Sequence, residues 1–253
     1  MKKIYLIALT SLMIISSSFA SEQKLSAKEA VVQTFKQTTD IPAGIKTPDN
    51  VETSIGTLEF FDGVPSKETS ENVYDYLDRM RGVDAFMKGI PGASVRGLIV
   101  GLEEAGVNQY NKVGITKSLL DSKSIFLTAN TSTIYVTPYI NVGKNGPIVM
   151  EIPPGMLGAF NDAWFRYIAD IGPFGEDKGK GGKYLILPPA YEGEIPEGYF
   201  IIKSPTNKVF VFTRTSIANG IENAVKMLEY DLKIYPLAEK DNAKKMELVD
   251  ISG

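Results

Sequence analysis

Any chemistry in this chain must proceed without histidine or cysteine, because its 253 residues include neither. A Ser-His-Asp triad, a cysteine nucleophile and a His- or Cys-based zinc site are therefore excluded. Carboxylates, lysine, tyrosine, arginine, hydroxyls and backbone dipoles are left for acid–base work or ligand binding. Asn130, Thr133 and Tyr135 share the run "NTSTIY" at the start of a β-rich stretch. Asn and Thr at such a position either satisfy turn backbone or face a ligand. Asp162 and Trp164 flank the beginning of another strand. A lone tryptophan serves as a core or interface anchor, or as a ligand platform. Asp170 and Lys183 bracket "DIGPFGEDKGKGGK", and Arg214 ends the apolar strand "VFVFTR". A buried arginine there would require a carboxylate partner, for which Asp162 and Asp170 are the candidates. The candidate cleft thus comprises Asn130, Thr133, Tyr135, Asp162, Trp164, Asp170, Lys183 and Arg214, with no residue singled out as catalytic.

The glycine- and lysine-rich bracket resembles a phosphate cradle in composition only. A P-loop requires G-x-x-x-x-G-K-[ST]. For Lys183 the first glycine position holds Asp177 and the hydroxyl position holds Tyr184; for Lys180 the first glycine falls on Phe174. The glycines also lead straight into an apolar strand, where a P-loop would lead into a helix. The stretch reads as a connection between strands whose lysines face solvent or line a cleft for an anion. Asp170, Glu176 and Asp177 match no calcium-loop spacing. Neither a metal nor a cofactor is expected.

The elements that hold these residues follow from the rest of the chain. Composition is that of a globular protein, with 43% hydrophobic and 23% charged residues and a net charge of −3, so there is no basic footprint for nucleic acid. "MKKIYLIALTSLMIISSSFA" has a positive start, an apolar centre and a small-x-small end at Ala20. It reads as a secretory signal over residues 1–20, too short in its apolar run to span a bilayer. A periplasmic or secreted protein is expected, with no transmembrane segment after cleavage.

Residues 21–50 form a polar segment with a short helix over Ser26–Gln37. Residues 51–112 are mainly helical, after an extended pair turning at Asp62-Gly63. Ser66 or Thr69 caps the first helix, Gly89-Ile90-Pro91 stops it, and "SVRGLIVGLEEAG" makes a second, in which Gly97 and Gly101 are tolerated or admit a neighbouring backbone. Residues 113–217 carry short β-branched and aromatic runs, including "AWFRYIADI", "KYLILPP", "GYFIIKS" and "VFVFTRTS", divided by Gly, Pro, Asn and Asp. They indicate an antiparallel sandwich or barrel. Residues 218–253 supply a last helix, "GIENAVKMLEYDLKIY", with Ile221, Val225, Leu228 and Leu232 on one face, and a loosely held polar tail. The fold class is α+β.

Three long runs, "LTANTSTIYVTPYINVGKNGPIVMEIPPG", "DAWFRYIADIGPFGEDKGKGGKYLILPPAYEGEIPEGYFIIKSPTN" and "FVFTRTS", together with the upstream "IGTLEFFDGVPSKETSENVYDYLDRMRG", resemble the family called domain of unknown function 1254 (DUF1254) from about Val51 to Leu237. Ser132 and Glu176 depart from the pattern, which favours an acidic residue and a proline at those places. The resemblance implies a helical N-terminal portion followed by an immunoglobulin-like β-sandwich, to which the pattern above adds the C-terminal helix. It also implies a second β-rich domain, numbered 1214, in typical members, which is expected to be supplied from outside this sequence. Two function classes follow. One is an exported binding or assembly module that docks a second β-domain from a neighbouring gene, or another copy of itself. The other is an exported enzyme that takes a small organic molecule, with Asp, Lys or Tyr as acid–base groups.

Overall fold

The structure is a computed structural model and describes residues 40, 42–46, 48–121 and 130–252. The signal expected over residues 1–20, the helix expected over Ser26–Gln37 and the first residues of the "KSIFLTAN" run lie outside them. No described helix is long and apolar enough to cross a membrane.

The chain divides into two compact units after Glu71. In the first, β1 (Asn50–Thr53), β2 (Gly56–Phe61) and β3 (Val64–Pro65) form an antiparallel sheet in that order. The β2–β3 turn is the expected Asp62-Gly63 pair. Both residues have positive φ, 49° and 80°, which suits the twist of a tight hairpin. Helix α1 (Lys67–Glu104) starts at Ser66, whose Oγ accepts the amide of Thr69 at 3.1 Å.

Pro91 lies inside α1, so the expected stop at Gly89-Ile90-Pro91 does not occur and the two expected helices are one. Proline there removes one amide bond. Beyond it, Val95 and Ile99 are buried with Val107, Tyr139 and Phe210, and this packing holds the helix on course. Gly97 and Gly101 adjoin open space and admit no backbone. The helix ends at Gly106 (φ 98°), where the amide of Val107 bonds the Leu102 carbonyl at 2.8 Å.

The second unit continues with β4 (Lys112–Ile115), β5 (Thr133–Pro138), β6 (Ile140–Asn141), α2 (Val142–Asn145), β7 (Ile148–Ile152), β8 (Met156–Asn161), β9 (Tyr167–Ile171), β10 (Gly182–Leu187), β11 (Phe200–Lys203), β12 (Lys208–Ser216), α3 (Ile221–Tyr230), β13 (Lys233–Pro236) and β14 (Glu247–Asp250). One sheet has the order β11-β10-β7-β13. The larger has the order β14-β4-β5-β12-β8-β9, with β6 also paired to β12. Buried residues of both sheets, among them Ile134, Val136, Met156, Phe160, Val149 and Leu185, belong to one core, joined by Leu228 of α3.

The pairing is not wholly antiparallel, because β10–β11 and β4–β14 run parallel. Two C-terminal expectations also change. Helix α3 stops at Tyr230, and "KIYP" is an edge strand with Ile234 and Tyr235 buried. The tail is not loose, since Glu247–Asp250 pairs with β4 and the Met246 sulfur accepts the Ile234 amide. Likewise only the second half of "AWFRYIADI" is strand; its first half is a loop organised by Asp162.

Candidate functional site

Strand alternation gives β12 two different faces. Val209 and Val211 point into the shared core, whereas Phe210 and Phe212 belong to a second apolar cluster on the opposite side. Arg214 follows at the same period as Phe210 and Phe212. Across the sheet Arg214 stands level with Tyr135 on β5 and Leu157 on β8, and Phe212 with Ala159, which in turn faces Asp170 on β9. Helix α1 covers the Tyr139–Phe210 end of this face. At the other end Ala159, level with Phe212 and Asp170, has only a methyl to offer the space between them. A cleft of about 400 Å³ remains, with Tyr135, Phe212, Arg214, Asp170, Leu157 and Phe165 among its walls.

The floor is aromatic. Tyr135 stacks on Phe212 with ring centroids 5.0 Å apart, Phe212 on Phe210 at 6.0 Å, and Phe165 leans on Phe210 at 5.7 Å. The rim is charged. Arg214 makes no ion pair with a described carboxylate, so neither expected partner takes it. Asp162 is bound to Arg166, and Asp170 accepts the hydroxyl of Tyr167 at 3.1 Å. Cation and anion thus face the same cavity without neutralising each other.

Asn130 and Thr133 support this arrangement from outside. The backbone amide and side-chain Nδ2 of Asn130 donate to the Tyr135 hydroxyl at 3.1 and 3.0 Å. Asn130 Oδ1 accepts from Ser132 and from Thr133 Oγ1. The asparagine therefore organises its turn and also fixes a tyrosine of the cleft.

Asp162 is fully buried and plays a different part. Its Oδ1 accepts the amides of Trp164 (2.8 Å) and Arg166 (2.9 Å), and its Oδ2 accepts Arg166 Nε at 2.6 Å. Burial by itself would raise this carboxyl; the amides of Arg166 and Trp164 and the Arg166 guanidinium outweigh it and hold the group below the usual carboxylate range. The loop so fixed presents Trp164 and Phe165, with Phe165 in the left-handed region (φ 59°). Trp164 lies against α1 at Gly92, where an added Cβ would come within 2.9 Å of its indole. It lines a separate cavity of about 230 Å³ together with Arg96 and Lys208.

Lys183 does not join the cleft. It sits on β10 of the other sheet and pairs with Glu151 at 3.3 Å. The glycine-rich stretch links β9 to β10, strand to strand, around Asp177. Among the described residues no group of three or more acidic side chains is placed to hold a metal. The cleft residues that the candidate set omits include Phe212, Phe165, Leu157 and Ala159. Phe212 has a readable signal, the alternation of "VFVFTR"; Ala159 and Leu157 have none, since their role is set by which strands become neighbours.

No curated protein matches this chain. Among solved structures, the VPA0106 protein of Vibrio parahaemolyticus is similar at a TM-score of 0.49 and 14% identity, over 65% of this chain and 39% of that one. This chain therefore spans well under half the length of that protein. The family model described as "Protein of unknown function (DUF1254)" matches residues 110–236, half of the chain, from Tyr110 just before β4 to Pro236 at the end of β13. Every residue of the aromatic cleft falls within that stretch, and the chain belongs to the DUF1254 family.

Proposed function

We propose that the chain is an exported binding module whose large sheet receives a small aromatic carboxylate in the cleft between Tyr135, Phe212, Arg214 and Asp170. The observation that carries this reading is Arg214, which pairs with no carboxylate among the described residues, beside a stacked aromatic floor. A guanidinium fork matches a carboxylate bidentately, and the rings accept a planar body. Asp170, on the opposite wall, suits a hydroxyl or ammonium group on the same ligand. An immunoglobulin-like arrangement of the two sheets is part of the proposal and is supported by their common core.

Calorimetric titration with phenylacetate, phenylpropionate and the uncharged phenylacetamide tests the ligand class. The acids should bind and the amide should bind much more weakly. Arg214→Ala should weaken acid binding on the order of 10–100-fold, the worth of a charged hydrogen-bond pair. Absence of binding by every probe, or affinities indifferent to Arg214→Ala, would refute the reading.

The assembly reading has its own support in the exposed Phe165 at the edge of the cleft and the adjacent Trp164 on the same loop, 55% and 48% accessible. A second β-domain from a neighbouring gene would cover both. Export is tested separately by the intact mass of the protein recovered from the periplasm of an expressing bacterium. A mature chain beginning at Ser21 is expected; a mass that retains residues 1–20 would refute the processing and the address.

A further inference from the structure

The first half of α1 carries an apolar stripe that no other described residue covers. Every residue from Tyr74 to Pro91 is exposed, and none of them contributes to either apolar cluster. Yet Val73, Tyr76, Met80, Val83, Met87 and Ile90 follow one another at spacings of three and four. That alternation averages 3.5 residues, the period of a coiled-coil seam. Met87 is 59% accessible and Val83 54%. A lone helical stretch of this length is marginal in water, and Gly82 and Gly89 weaken it further. Two and a half heptads from each of two copies would cover on the order of 1,000 Å², the lower bound of a specific interface.

Charge decides which occupant fits. With Val73, Met80 and Met87 at the a positions and Tyr76, Val83 and Ile90 at d, Arg79 falls at g and Asp84 at e. In a parallel, in-register pair each g residue faces the e residue five places later on the other helix, so Arg79 meets Asp84 of the second copy and the symmetry repeats the contact. An antiparallel pair sets g against g and e against e, which offers Arg79 and Asp84 no such match. Asp84 also holds Lys88 of its own helix at 2.6 Å and remains exposed enough to serve both cations. We propose that residues 73–90 form a parallel, in-register self-association surface, occupied by the same segment of another copy of this chain. It is separate from the aromatic cleft and does not depend on ligand binding there.

Absence of cysteine makes the test clean. Under mild oxidation Met87→Cys, on the seam, should cross-link to itself, whereas Ala85→Cys, on the outer face, should not. Sedimentation of the exported chain at tens of micromolar should show an oligomer, and Met80→Glu with Met87→Glu should return it to monomer. The melting of the β-rich unit should stay unchanged, because neither methionine belongs to an apolar cluster of the described residues. Arg79→Glu should weaken association about tenfold, and Arg79→Glu with Asp84→Arg should restore it. A monomeric wild-type chain, an oligomer that survives the double glutamate variant, equal cross-linking through Ala85→Cys, or no rescue by the charge swap would each overturn the proposal.

Discussion

Asp177→Ala should lower the unfolding free energy by about 4 kcal/mol, from the penalty of leaving several buried donors unbonded. Asp177 is buried in the centre of the glycine-rich connection. It accepts the amides of Gly172 at 2.8 Å and Gly181 at 3.1 Å, and the hydroxyl of Tyr184 at 2.9 Å. Tyr184 is itself fully buried, between Phe160 and Phe200. Burial, with the Asp177 carboxylate at its hydroxyl, pushes that phenol well above its ordinary range, so it remains a donor at any physiological pH. With alanine in place the three donors lose their acceptor. Asp177→Asn keeps one acceptor oxygen and should cost roughly half as much. Urea unfolding followed by circular dichroism measures both; a loss below 1 kcal/mol for the alanine variant would mean that the carboxylate does not hold the connection. The same geometry explains the glycines. Gly181 has φ 73°, and a Cβ there would lie 2.3 Å from the Ile152 carbonyl oxygen.

Asp162→Ala should cost about 3 kcal/mol, for a buried carboxylate bonded to two amides and a guanidinium. Its effect should also reach the single tryptophan of the chain, whose emission should shift to the red as the loop loosens. The pH dependence has a definite sign. The Asp162 carboxyl is held below its unfolded value of about 3.9, so its contribution is complete above that pH and vanishes as the pH falls through the lower native value. Glu151 moves in the same direction: burial opposes the shift, and the Tyr235 hydroxyl with Lys183 outweighs it. The Lys208 hydrogen bond lowers Glu103 as well. Wild-type stability should therefore fall below about pH 4, and Asp162→Asn should flatten that decline. A variant whose acid limb parallels that of the wild type would exclude this carboxyl as a source of the slope.

Legibility in the sequence follows the range of each interaction. The Asp62-Gly63 hairpin, the Ser66 cap and the apolar face of α3 are local, and each is written in a few adjacent residues. Alternation in "VFVFTR" likewise assigns Phe212 and Arg214 to one side of a strand. What is not local is harder to read. Pro91 looks like a stop because its missing amide is a local fact, while the packing of Val95 and Ile99 that carries the helix past it involves Tyr139 and Phe210, far along the chain. The strands "KIYP" and "ELVD" are four residues each, and pairing distant in sequence leaves no mark on so short a run. The cleft lies between these cases. Tyr135, Asp170 and Arg214 are the right chemical types in the right motifs, but Lys183 joins them only on paper, since its strand belongs to the other sheet. Nothing in the sequence alone distinguishes the two sheets.

The parallel contact between β4 and β14 joins segments far apart in the chain; Asn111, beside β4, bonds the carbonyl of Lys245, 134 residues later. A ribosome adding roughly 5–20 residues per second would need about 7–27 s between making those two segments. Through that interval the outer edge of β4 has no partner and offers its amides and carbonyls to any passing strand. Closing so long a loop is also entropically slow. The time for which this edge stands open, more than the strength of the finished sheet, sets how exposed each newly made molecule is to aggregation.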